Sequence, residues 1–256
     1  MINKKVKALV LRTAGTNCEN ETLLALNLAG ADATLAHINE LIKKKVLLNK
    51  FQIIVVPGGF AYGDDLGAGR ILANEIRFRL KKEFDDYNES GNLLVGICNG
   101  FQALIKTGFL PGNCAATLTN NDSGHFEDRW VWLKTARDSL FTKGIASLYL
   151  PVNHGEGKFV AERKDLDMLR SNGQIALRYV DENGNPGGYP DNPNGSADGI
   201  AAVTNREGNV FGMMPHPEKY VNRYQHPRWT REKLPEEGAG LKIFRNMVNY
   251  AEGELL

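Results

Sequence analysis

Cysteine is scarce: only Cys18, Cys98 and Cys114 occur in 256 residues. Three scattered cysteines exclude a disulfide framework, and no CxxC pair is present to suggest zinc, so no metal is expected. A reducing, cytoplasmic setting fits this usage. Long apolar runs are missing as well. None approaches the roughly 18 residues of a membrane span, so no membrane partner is expected. The opening MINKKVKALVLR carries basic residues, but its apolar part falls short of the about 7–15 residues of a signal sequence and reads as a first strand. Charge of one sign is absent too. With 31 basic and 30 acidic residues the net charge is +1, which argues against a nucleic-acid groove and an anionic-surface binder. The KKK at 43–45 reads as a solvated helix face. There is no phosphate-loop pattern G-x-x-x-x-G-K-[ST], no kinase-like set, no internal repeat and no low-complexity tail.

What is present is a chain long enough to bury about 70–75% of its unfolded surface. Residues 1–256 are expected to form a single domain. The first half alternates apolar strand-like runs with helical patterns: VKALVL (6–11), ATLAHI (33–38), FQIIVV (51–56) and LLVGI (93–97). The intervening helices are CENETLLALNLAGA with Asn17 as N-cap, a polar helix near 39–49, one long amphipathic stretch at 68–89, and FQALIKTG closed by Gly108. Continuous apolar strands alternating with helices imply an α/β fold with a mainly parallel central sheet flanked by helices. The second half is richer in strands: 130–136, 146–152, 175–180, 199–205 and 209–214, with a last helix LKIFRNMVNYAE. The Gly/Pro/Asn-rich loop at 181–196 is too long for a simple turn, and long ordered loops are often functional.

In such sheets ligands bind at the carboxyl ends of the strands. Two loops leave that edge, PGGFAYGDD (57–65) and the turn inside GICNG (96–100). A lone cysteine ending an apolar strand is often an inert core residue. G-x-C-x-G between strand and helix, however, is the nucleophile-elbow arrangement with sulfur in place of a hydroxyl. Gly96 and Gly100 keep Cβ atoms out of the crowded turn. The helix start directs N–H groups and a positive dipole end at Cys98, which favours the thiolate and suits a developing oxyanion. A cysteine nucleophile needs a base with its own orienter. His216, in VFGMMPHPEKY, is held between two prolines, and Glu218 lies two residues on, about 6.6 Å in extended chain. That spacing lets a carboxylate accept the imidazole N–H. A turn with a surface histidine is the alternative reading of PHPE alone. His37 and His226 read as structural. Gly58 and Gly59 offer either a flexible turn or backbone N–H groups aimed at a substrate oxygen. The adjacent Asp64 and Asp65 point apart and read as loop residues rather than a metal site.

GICNGFQ, with PGGF before it and PHPE after it, resembles the class I (triad) glutamine amidotransferases. GGFAYGDDLGAGRI, NDSGHFEDRW, LPVNHGEGKF, NPNGSADGIAAVT and GMMPHPEK are similar, in that order, to one branch of the family, glutaminase subunits serving purine biosynthesis. The resemblance runs from about Val6 to Asn249. It implies a flavodoxin-like α/β domain, Cys98 as nucleophile, His216 as general base and acid, and Glu218 as its orienter. It implies an oxyanion hole from the N–H groups of Gly59 and Asn99. It also implies glutamine held by Gly58, Gln102 and the strip His154, Gly155 and Glu156, largely through backbone. The reaction implied is glutamine hydrolysis through a cysteine thioester, with ammonia passed to a synthetase subunit. ATP, Mg and formylglycinamide ribonucleotide would bind that subunit, leaving no cofactor on this chain. Related systems add a small third subunit. Two other classes compete. One is a different cysteine hydrolase or a redox-sensing protein on a similar sheet; the redox group commonly has histidine directly after the cysteine, where Asn99 stands here. The other is a binding module with a vestigial triad. The chain departs from its relatives in LRTAGTNCEN and in the longer 181–196 and 220–240 segments, which are expected to bear on the partner surface.

Overall fold

The computed structural model of the chain describes residues 5–256. Its first half winds through β1 (Lys7–Arg12), α1 (Glu19–Ala29), β2 (Asp32–His37), α2 (Ile38–Ile42), β3 (Ile53–Val56), α3 (Arg70–Arg79), α4 (Lys81–Glu89), β4 (Leu93–Ile97) and α5 (Asn99–Thr107). Strands then dominate: β5 (Ala116–Thr119), β6 (Glu127–Thr135), β7 (Ser147–His154), β8 (Lys158–Ala161), α6 (Arg163–Ser171), β9 (Ile175–Val180), β10 (Ile200–Thr204), β11 (Val210–Met213) and α7 (Leu241–Glu254).

Nine strands form one sheet in the order β2-β1-β3-β4-β11-β10-β9-β6-β7, and β5 pairs with β8 in a separate ribbon. From β2 to β11 every pairing is parallel; from β11 to β7 every pairing is antiparallel. The parallel strands are buried at successive residues, IIVV of β3 and LLVGI of β4 throughout. Burial of both odd and even positions means both faces are covered. Helices α1 and α7 pack on each other, as do α3 and α5, and supply that cover. The α/β expectation, a largely parallel sheet flanked by helices, is what the chain adopts.

Three local expectations need correction. Asn17 does not cap α1. Cys18 occupies the N-cap position with no side-chain cap, and Asn17 Oδ1 instead accepts from the Cys18 thiol at 3.1 Å. The polar 39–49 segment carries only the five-residue helix Ile38–Ile42, opened at His37 by a capping box, then a 3₁₀ turn at Leu48–Lys50. The amphipathic 68–89 stretch is two helices broken at Leu80 (φ −131°), whose side chain is buried. Burying that leucine bends an apolar stripe that a straight helix would have carried past the sheet.

Glycines permit the closest packing. A Cβ at Gly96 would come to 2.7 Å from the Gly100 carbonyl, and one at Gly100 would overlap the Val56 carbonyl oxygen. Helix α5 can therefore start directly against β3 and β4. Gly100→Ala is expected to cost about 1–3 kcal/mol in urea unfolding. Gly253→Ala, in α7 with open space around it, should stay within about 1 kcal/mol of the parent. Equal effects at the two positions would show that this approach is not tight.

Candidate active site

Strands β4 and β11 are neighbours in register, with Ile97 opposite Met213. The chain leaves both at the same edge, which brings residues 98 and 216 to one place. Cys98 follows β4 at φ 50°, ψ −107°, a strained conformation for a residue with a Cβ. Its N–H donates to the Met213 carbonyl at 2.7 Å, which locks the turn to the neighbouring strand. The next residue already begins α5. Past β11, the His216 N–H donates to the Pro151 carbonyl of β7 at 2.9 Å. His216 Nδ1 and Glu218 Oε1 are 2.6 Å apart, and both residues are almost wholly buried. An Nδ1–H donating to the carboxylate leaves Nε2 as the acceptor. That Nε2 is buried and has no hydrogen-bond partner. The Cys98 thiol faces the Asn153 carbonyl oxygen at 3.6 Å instead.

Burial pushes the Cys98 thiol far above its ordinary range. Cys18 and the Glu218 charge push it further, while Lys219 and the Asn99 N–H act against them. The helix start therefore does not make a resting thiolate, contrary to the sequence expectation. A helix terminus contributes about 0.3–1 kcal/mol, rising to about 2 in partly buried geometries. The effective penalty for burying an unpaired ion is several kcal/mol. At rest Cys98 is a neutral thiol.

Gly58 and Gly59 carry the facing loop. A Cβ at Gly58 would sit 2.7 Å from His216 Cε1 and 3.3 Å from Cys18 Sγ, so only glycine lets the imidazole lie there. Gly59, at φ 147°, bridges Thr16. The bonds flanking it run from Phe60 N–H to Gly15 O at 2.9 Å and from Asn17 N–H to Gly58 O at 3.4 Å. Its own N–H makes no backbone hydrogen bond among the described residues.

The other expected residues fall nearby in differing ways. Gln102 Nε2 donates to the Glu156 carbonyl, tying α5 to the strip after β7. Glu156 turns its carboxylate to the Ala68 N–H at 3.3 Å. His154 is buried with its side chain already occupied. Its Nδ1 lies 3.1 Å from Asn121 Oδ1 and its Nε2 3.5 Å from Asn194 Nδ2. Burial lowers its pKa to about 3, with His216 adding to the effect, so it is a neutral strut. The His154 and Gly155 carbonyls are likewise taken, accepting from the Asn121 Nδ2 at 2.7 Å and the Asn121 N–H at 2.9 Å.

Sequence reasoning missed Cys18, Asn153, Asn121 and Asn194. Cys18 had a usable signal, since it follows β1, which ends at the same edge beside β3. Cys18, His216 and Glu218 bring potential metal-ligand atoms within 4.8 Å of one another. The imidazole and carboxylate are already bonded to each other, and burial, with Glu218 next, pushes the Cys18 thiol up to about 12. The cluster is a protonated thiol packed on a hydrogen-bonded pair, a poor donor set for a cation.

A strained thiol at a strand-to-helix turn, at the same sheet edge as an imidazole oriented by a carboxylate, is the equipment of a cysteine acyl-transfer enzyme. Residues 5–251 match the CobB/CobQ-like glutamine amidotransferase domain, and the chain belongs to that family. It is 51% identical to the phosphoribosylformylglycinamidine synthase subunit PurQ of Dehalococcoides mccartyi, over 96% of this chain and 98% of that one. The protein of the same name from Methanococcus maripaludis is 40% identical, over 98% of this chain and 99% of the relative. Among solved structures, a chain of PurLQS from Thermotoga maritima superposes with a TM-score of 0.76 at 31% identity, covering 96% of this chain and 99% of that one.

The neutral resting thiol has a measurable consequence. Alkylation of Cys98 by iodoacetamide in the isolated chain, followed peptide by peptide by mass spectrometry, should still be rising with pH at about pH 9. A plateau reached below pH 7 would mean a preformed thiolate.

Proposed function

We propose that this chain is the glutaminase subunit of a phosphoribosylformylglycinamidine synthase. It hydrolyses glutamine to glutamate and ammonia and delivers the ammonia to a synthetase subunit, where ATP-dependent amidation of formylglycinamide ribonucleotide takes place. The observation that carries the reading is the buried His216–Glu218 pair, with its unpartnered Nε2, at the edge where the strained Cys98 turn leaves the adjacent strand. The full-length relatives that bear this enzyme's name support the choice of substrate and partner.

In this reading glutamine lies between the Gly58–Gly59 loop, Gln102 and the strip 154–156. The Cys98 thiol gives its proton to His216 Nε2 as Sγ attacks the side-chain amide carbon. Glu218 stabilises the imidazolium that forms. The N–H groups of Gly59 and Asn99 receive the oxyanion. His216 then returns the proton to the amide nitrogen, the C–N bond breaks and ammonia leaves. Water, deprotonated by the same Nε2, cleaves the thioester, and the proton passes back to sulfur as glutamate departs. Thiol, imidazole and carboxylate suffice for these steps, and ATP and Mg belong to the synthetase subunit. Residues 1–256 act as one amidotransferase domain in the cytoplasm, where that pathway's intermediates are found. Among the described residues no helix is long and apolar enough to cross a membrane.

Cys98→Ala in the reconstituted complex is expected to lower glutamine-driven synthesis by more than about 10³-fold. Synthesis from added ammonium salt should be unchanged. Normal glutamine-driven turnover in that variant would rule out the covalent route.

A further inference from the structure

The sequence treats Asp64 as a loop residue, yet it stands at the centre of a closed circuit of hydrogen bonds. Asp64 Oδ1 accepts from Gly69 N–H at 3.0 Å and from Asn99 Nδ2 at 3.0 Å. Asn99 Nδ2 also donates to Gln102 Oε1 at 2.9 Å. Gln102 Nε2 donates to the Glu156 carbonyl, and the Glu156 carboxylate accepts from Ala68 N–H, next to Gly69. The circuit joins the loop after β3, the first turn of α5 and the strip after β7. A further bond runs from Ala61 N–H to Asn99 Oδ1 at 3.0 Å, two residues beyond Gly59.

The backbone is bent to make these contacts. Tyr62 and Asp64 both have positive φ, 57° and 55°. Such conformations cost about 1–3 kcal/mol each and persist only where the surroundings hold them. Asn99 is buried, and its amide has an acceptor and a donor partner on opposite sides. Its side chain therefore grips the very loop that presents Gly59, while its own N–H lies at the helix start.

We propose that Asp64 and the Asn99 side chain form a clamp that sets the spacing between the Gly59 and Asn99 N–H groups, which makes Asp64 a positioning residue for the oxyanion hole. This rests on the glutaminase reading above and adds to it the part that builds the hole. The two donors come from the loop after β3 and the start of α5, so neither segment alone determines the gap between them. An oxyanion donor acts only as charge develops, so a loosened clamp lowers kcat and kcat/KM together and leaves KM nearly unchanged.

Asp64→Gly removes the carboxylate and tolerates the positive φ. In the reconstituted complex it should lower glutamine-driven kcat by about 10²-fold, the scale of losing one oxyanion donor. Asp64→Asn keeps an oxygen for Gly69 and Asn99 and should restore kcat to within about threefold of the parent, as expected for a mainly geometric role. Should the glycine variant fail to fold, Asn99→Ala, which keeps the residue-99 N–H within a regular helix, carries the same expectation. Full kcat in the variants lacking the clamp, equal losses with Gly and Asn at position 64, or a loss confined to KM would each overturn the proposal. The Cys98→Ala result is independent: glutamine-driven synthesis surviving there removes the glutaminase reading itself, whatever Asp64 does.

Discussion

Everything at this site hangs on the register between β4 and β11. With Ile97 opposite Met213, two parallel strands far apart in sequence end side by side. The Cys98 N–H bond to Met213 then ties the strained turn to the strand that leads to the imidazole. A one-residue slip would send every side chain of the strand to the opposite face. The register is protected by packing as much as by backbone bonds. A Cβ at Gly212 would collide with the Phe101 ring of α5, so helix, cysteine strand and histidine strand fit only in this alignment. Strain of about 1–3 kcal/mol at Cys98 is a substantial share of a typical stability of about 5–15 kcal/mol, and the buried parallel half of the sheet offsets it.

Burial decides the protonation state on which the chemistry starts. Cys98, His216 and Glu218 are almost entirely out of water, and so is Cys18. A thiolate–imidazolium pair formed in advance would have to bear its desolvation in the resting protein. A neutral thiol avoids that cost. In the proposed reaction Glu218 gains an imidazolium partner in a low-dielectric setting, where the attraction is much larger than in water.

Much of this was legible in the sequence, for reasons that differ by element. The buried strands announced themselves as short β-branched runs, and GICNG between LLV and FQAL located the elbow. PHPE placed His216 and Glu218 two residues apart, and the bond expected between them is made. What escaped depends on long-range packing. Helices α3 and α4 share one amphipathic pattern, and only the burial of Leu80 breaks it. The β5–β8 ribbon is four residues a side, and α6 is mostly polar, so neither carries a strong period. At the site, Cys18 and Asp64 acquire meaning only from neighbours on other loops. The thiolate expectation failed because sequence shows a helix start but not the depth at which it is buried.

The 181–196 and 220–240 segments are anchored inward before they reach solvent. At the end of the 181–196 loop, Asn194 is fully buried and Ser196 nearly so. Ser196 Oγ accepts from the Phe159 N–H at 3.0 Å, and Asn194 lies against His154. Asn121 completes the brace by accepting from Gly157 N–H at 3.0 Å and donating to the His154 carbonyl at 2.7 Å. The backbone strip after β7 is thereby held from both sides by neutral side chains. The 220–240 segment covers the antiparallel end, where Tyr220 and His226 pack on Trp130 with ring centroids 5.3 Å apart. Those anchors leave Tyr189, Tyr224 and Trp229 exposed on the same segments. Each segment therefore has an inner part that stiffens the sheet and strip and an outer part whose aromatic side chains stay exposed.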